Sequence, residues 1–134
     1  MSGATSVKKW DQNRSPVGWY LATYMERFEF EGEDKSNLRR RCRAWENTIL
    51  VKAATPSEAY RSAVRHAKIT EKTPWKNSRG ENGRLVFEGL THLVPIYDAL
   101  EDGAEVCWND HQNVSVQKIK SMVTAKHNLE AFRK

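Results

Sequence analysis

Glu101-Asp102-Gly103-Ala104-Glu105 sets three carboxylates within five residues. Carboxylates at that spacing can share acid and base roles or gather a divalent cation. Crowded carboxylates on a turn are more often simply solvated. Cys107 and His111 have a spacing found in metal sites, and Cys42 could add a third ligand, but a structural zinc takes four. Cys42 stands between Arg41 and Arg43, as an activated thiol can, yet no histidine adjoins it to serve as its base. His92 could act as a general base, although a strand histidine is more often packed or hydrogen-bonded. The chain has no glycine-rich phosphate loop, no Gly-Lys-Ser or Gly-Lys-Thr, no His-Glu-x-x-His and no Cys-x-x-Cys. The expectation is a protein that is not an enzyme, with no catalytic residues, metal or cofactor assigned.

Two charge clusters point instead to binding. Arg39-Arg40-Arg41-Cys42-Arg43, with Trp45 close behind, could grip a phosphate backbone and stack on a base. Glu31, Glu33 and Asp34 in the same segment weaken that field, and core burial would also account for Trp45. The second cluster is acidic. The chain carries a formal net charge of +5, yet has no lysine or arginine between Thr91 and Trp108. Glu101, Asp102, Glu105 and Asp110 are therefore the residues expected to meet a basic partner surface.

The elements that must position these groups are readable from periodicity. Trp19–Phe30 is rich in aromatic residues and apolar on alternating positions, which predicts a central strand. Glu31–Arg43 reads as a charged loop, and Trp45–Ala53 as a second strand pairing antiparallel with the first. Thr55-Pro56-Ser57-Glu58 is a capping box with proline at the first helical position. Ala59, Ala63 and Ala67 then fall on one helical stripe that can lie close to a sheet. Residues 72–83 read as a loop and Leu85–Val94 as a strand ended by Pro95. Ile96–Leu100 reads as a helical turn, Glu101-Asp102-Gly103 as a tight turn, and Ala104–Trp108 as a last short strand. Val116, Ile119, Val123, Leu129 and Phe132 suggest a second helix with Lys118, Lys120, Lys126 and Arg133 outside.

This order predicts an α+β domain: a small antiparallel sheet of about four strands with two helices packed on one face. Residues 1–17 are expected to be a flexible leader, 18–134 a single domain, and 111–134 its C-terminal helical extension. Five Trp, four Tyr and four Phe need burial, so the chain should fold. No stretch approaches the roughly 20 apolar residues of a membrane span. With no signal peptide visible, Cys42 and Cys107 are expected to be free thiols in the cytoplasm. A sheet apolar on both faces also leaves room for a homodimer.

The ordered motifs resemble a small bacterial family, domain-of-unknown-function family 4288. The resemblance rests on Trp19-Tyr20-Leu21-Ala22, Trp45, Leu50-Val51-Lys52-Ala53, Ser57-Glu58-Ala59-Tyr60, Phe87-Glu88-Gly89-Leu90 and Leu100-Glu101-Asp102-Gly103-Ala104-Glu105-Val106. It implies a compact α+β domain of bacterial origin and no assigned activity. The arginine run and the segment after Trp108 lie outside the shared motifs. The expected function is a protein-binding module, of the immunity or accessory kind, that neutralises or regulates a bacterial partner protein. The alternative is a nucleic-acid-binding module using the arginine-rich loop.

Overall fold

A computed structural model describes residues 12–76 and 78–133. The elements, in order, are β1 (Trp19–Phe30), β2 (Ala44–Lys52), α1 (Pro56–Lys68), β3 (Pro74–Lys76), β4 (Asn82–Pro95) and α2 (Val116–Met122). Short 3₁₀ turns occur at Ile69–Lys72, Lys126–Asn128 and Glu130–Phe132. The four strands make one antiparallel sheet in the order β2-β1-β4-β3, and with the two helices they give the expected α+β class. Residues 1–11, which make up most of the expected leader, lie outside the described residues.

β1 is central, as its aromatic alternation predicts. Tyr20, Ala22, Tyr24, Glu26 and Phe28 are buried on one face, while Trp19, Leu21, Thr23, Met25 and Arg27 are partly exposed on the other. α1 covers the upper half of the buried face. Its cap forms as read: Thr55 Oγ1 accepts from the Glu58 N–H at 3.2 Å. The Glu58 carboxylate reaches back to the Ala54 N–H at 3.1 Å, one residue before the cap. Ala59, Ala63 and Ala67 are fully buried. Because none of them projects beyond a methyl group, the helix settles close over Tyr20, Ala22 and Val51, with Ile49, Ala53, Leu90 and Leu93 at the margins. At the top of the sheet, the Ser15 hydroxyl donates to the Ile96 carbonyl at 2.5 Å and accepts from the Trp19 N–H at 3.1 Å. These bonds tie the entry to β1 to the exit from β4.

The lower half of the same face lies beyond α1 and is closed by the sheet itself. Gly83 pairs with Phe30 on one side and Trp75 on the other. A Cβ at Gly83 would lie 2.3 Å from the Glu29 carbonyl oxygen and 2.5 Å from the Phe28 ring, so this position must be glycine. The space left by the missing side chain lets the Phe28 ring pack under β4, with its centroid 4.6 Å from that of Trp75. Register shifts in the β1–β4 ladder after Thr23 and Met25 add local twist. Trp45 and Trp75 come from the two outer strands, yet their rings meet at 5.5 Å.

Three expectations are corrected. Ala104–Trp108 is not a strand; the fourth strand is Pro74–Lys76, inside the segment read as loop. Alternation in Ala104–Trp108 expresses a preference, but a strand exists only where a neighbour completes its ladder, and none does so here. Ile96–Leu100 forms no helical turn, because the Ile96 N–H is held by the Trp19 carbonyl at 2.9 Å and continues the strand geometry. The second helix stops at Met122 rather than reaching Phe132. It has a cap that the periodicity did not reveal, Ser115 accepting from the Lys118 N–H at 3.1 Å. No residue of α2 is buried, and a short helix without packing has little to extend it.

Candidate functional site

The acidic segment leaves the sheet at a fixed point. Ile96 is buried, and Tyr97 donates its hydroxyl proton to the Gln12 carbonyl and lies 5.8 Å from the Trp108 ring. Between those two rings the chain makes a clipped loop. The Ala104 N–H donates to the Glu101 carbonyl at 2.9 Å, Gly103 supplies the left-handed φ of +85° that the bend requires, and the Glu105 N–H donates to the Asp98 carboxylate at 3.2 Å. This arrangement brings Glu101, Asp102 and Glu105 onto one exposed loop, with Asp110 exposed just past Trp108. Beside the loop runs a groove of about 370 Å³, walled by Leu93, Val94, Pro95, Tyr97, Cys107 and Trp108. Cys107 is exposed there rather than buried on a strand.

The apolar surface continues along the chain. Leu100, Val106, Trp108, Val116, Ile119, Met122, Val123, Leu129 and Phe132 are all exposed, Val123 at 75% and Trp108 at 61%. Helical spacing correctly placed Val116 and Ile119 on α2, but they face solvent instead of the sheet. The lysines around them put positive charge on this part of the chain, so the C-terminal quarter runs from an acidic apolar loop to a basic apolar helix.

The arginine run divides into residues with different tasks. Arg40 turns inward: its Nε donates to Glu33 at 3.1 Å and its Nη1 to the Lys35 and Asn37 carbonyls at 3.2 and 2.8 Å. It thereby folds the loop onto Glu29, a buried carboxylate with Arg27 and Arg84 at 3.3 Å, Lys35 at 3.5 Å and Arg40 at 3.9 Å. Burial pushes the Glu29 carboxyl up, but Lys35, Arg84 and Arg27 outweigh it and hold the group below its ordinary value. Arg27 is held above its ordinary value, chiefly by its hydrogen bond to Glu88, with burial opposing. Asp34 is held low by hydrogen bonds from the Ser36 hydroxyl and N–H. Arg39 is exposed at the loop tip. Arg41 and Arg43 emerge on the opposite side, where Arg43 sits 5.3 Å over the Trp45 ring. Their neighbours Trp75 and Arg79 lie in the stretch read as loop, and only strand pairing reveals them.

His92 is exposed on β4 opposite Thr23, on the sheet face that α1 leaves open. Cys42 is exposed and unpaired. Among the described residues, no three His, Cys, Asp or Glu side chains gather as a metal site, and no helix is long and apolar enough to cross a membrane.

Residues 19–108, more than half of the chain, match the model of a family described as domain of unknown function (DUF4288). No curated protein and no solved structure matches the chain.

Proposed function

The chain belongs to the family described as domain of unknown function DUF4288, and from that footing we propose that it is a protein-binding module. It holds a partner along its C-terminal quarter, and the acidic loop receives a basic surface. One observation carries this reading: nine large apolar side chains between Leu100 and Phe132 are exposed, on a stretch that begins with an ordered acidic loop. A water-exposed apolar surface of that extent, rimmed by charge, is what a binding partner covers. Leu100, Val106 and Trp108 supply the apolar contact, while Glu101, Asp102, Glu105 and Asp110 select a partner of positive charge. The role is that of an immunity or accessory protein in the bacterial cytoplasm. The two free, exposed thiols accord with a reducing compartment.

The test is a tagged purification from the native host after nuclease treatment, read by mass spectrometry. One stoichiometric protein is expected, and Glu101→Lys with Asp102→Lys should release it. Full capture by that double variant removes the acidic loop from the interface. Recovery of the chain alone, or only as copies of itself, removes the foreign partner.

A further inference from the structure

Below α1, on the same face of the sheet, lies a cleft that the protein-binding reading does not use. Its walls are aromatic. Phe28 meets Phe30 at 4.8 Å and 87°, Phe28 meets Trp75 at 4.6 Å and 76°, and Trp75 meets Trp45 at 5.5 Å and 76°. Each contact is edge-to-face, so neighbouring rings stand nearly perpendicular rather than stacked. Trp75 is 38% exposed. The cleft holds about 530 Å³, within the range of small-ligand sites.

Its rim is cationic. Arg41, Arg43 and Arg79 line the cleft, with the uncharged Cys42 and Ser78 between them and no carboxylate among the described lining residues. Two of the three acids of the 31–43 loop that weaken the arginine run as read in sequence are engaged elsewhere, while Glu31 lines an adjoining pocket with Trp75 and Lys76. Glu33 engages Arg40 and Arg27, and Asp34 holds Ser36. Arg40 is therefore a clasp that closes the loop, and Arg41 and Arg43 after it line the cleft.

An electron-rich aromatic floor, with Trp75 as its exposed ring, and planar cationic forks together fit a ligand with an aromatic ring and an adjoining phosphate. Rings take the base by stacking, and guanidinium groups take phosphate oxygens. We propose that the cleft binds single-stranded nucleic acid, with a base laid on Trp75 beside Trp45 and the backbone phosphates held by Arg41, Arg43 and Arg79. A duplex keeps its bases stacked on one another and offers no free ring to this floor. The same chemistry exists in a free nucleotide, but three arginines spread along one rim suit successive phosphates of a strand.

The experiment uses the full chain and fluorescence anisotropy with a labelled single-stranded oligonucleotide, the same sequence as a duplex, and unlabelled mononucleotides as competitors. The single strand should bind and quench tryptophan emission. Its affinity should fall with salt at a log–log slope of about −2, the value for three phosphates on a single strand. Arg41→Glu should weaken binding at least tenfold and flatten the slope, and because Arg41 is exposed this variant keeps the fold. Arg39→Glu, off the cleft, should change affinity much less. Trp75→Phe should retain part of the affinity and Trp75→Ala should lose about tenfold or more. Equal affinity for the duplex would overturn the stacking site. Full displacement by equimolar mononucleotide would overturn the strand as its source. Absence of binding at low salt, or indifference to Arg41→Glu, would overturn the site altogether.

Discussion

The sheet body and the C-terminal quarter use apolar residues in opposite ways. From Trp19 to Pro95 most large apolar side chains alternate, pair and pack beneath α1 or into the aromatic cluster, although Leu38, Leu50, Tyr60, Ile69 and Trp75 stay exposed. From Leu100 to Phe132 residues of the same types stay in water, on turns and on a helix with nothing buried. Composition does not separate the two regions; supply of backbone partners does. Each strand of the body completes a neighbour's ladder, and side-chain burial follows from that pairing. Among the described residues, the segment from Leu100 to Phe132 joins no ladder, and these apolar residues stay exposed.

The comparison can be broken most severely at Gly83. Gly83→Ala puts a methyl group into the Glu29 carbonyl and the Phe28 ring, neither of which can retreat without disturbing the ladder. A loss of about 3 kcal/mol is expected, at the upper end of ordinary overpacking costs. Urea denaturation followed by tryptophan emission would measure it. A loss under about 0.5 kcal/mol, the range of neutral surface changes, would mean that the lower sheet is looser than its packing indicates.

The same substitution made in both regions sharpens the contrast. Val51 is 1% exposed beneath α1 and Val123 is 75% exposed after α2. Val51→Ala should cost about 2 kcal/mol, from the buried methyl groups lost and the cavity left behind. Val123→Ala should fall within about 0.5 kcal/mol of the parent. Equal costs would show that the C-terminal quarter contributes to the folded body.

Charge gives a smaller effect with a defined pH window. Glu29 ionises below its ordinary value of 4.5 in the folded chain, so its contribution is complete above 4.5 and is lost as pH falls through the lowered folded value. Two of its cations are more than half exposed, Lys35 at 61% and Arg84 at 56%. Solvent screening therefore limits Glu29→Gln to about 1 kcal/mol at neutral pH. Parent and variant should converge in stability below the folded value, and high salt should narrow the gap between them. A gap that persists unchanged in acid would assign Glu29 a packing role instead.

What was legible in the sequence was local. The Thr55–Glu58 cap, the Ala59, Ala63 and Ala67 stripe, the bend at Gly103 and the alternation of β1 each depend on residues a few positions apart, and all form as read. The exposure of Glu101, Asp102, Glu105 and Asp110 was also legible, because a turn rich in carboxylates stays in water wherever it sits. The arginine cleft was half legible. Arg41, Arg43 and Trp45 belong to one stretch, but Trp75 and Arg79 join them only because β3 adds to the edge of β4 and the sheet curls. A strand of three residues that begins with proline carries no periodic signal. Arg40 could not be told from its neighbours, since its partners Glu29 and Glu33 are chosen by the path of the loop. Ala104–Trp108 failed as a strand for the converse reason: its pattern was right and its partner was missing.

The smallest expected effect on stability is the most informative about function. Replacing Val116, Ile119 and Val123 together by serine removes apolar surface that is already wet, 67%, 49% and 75% exposed respectively. The folded chain loses no burial, so thermal unfolding should shift little, within about 0.5 kcal/mol for exposed sites. Binding should respond differently. If a partner covers this face, each side chain loses the apolar area that the complex would have buried, at about 25 cal/mol per Å². The triple variant should then lose the partner caught by the parent chain while keeping the same melting temperature. Loss of both would place the segment in the fold. Loss of neither would confine the interface to the acidic loop, where Leu100, Val106 and Trp108 would have to carry it alone.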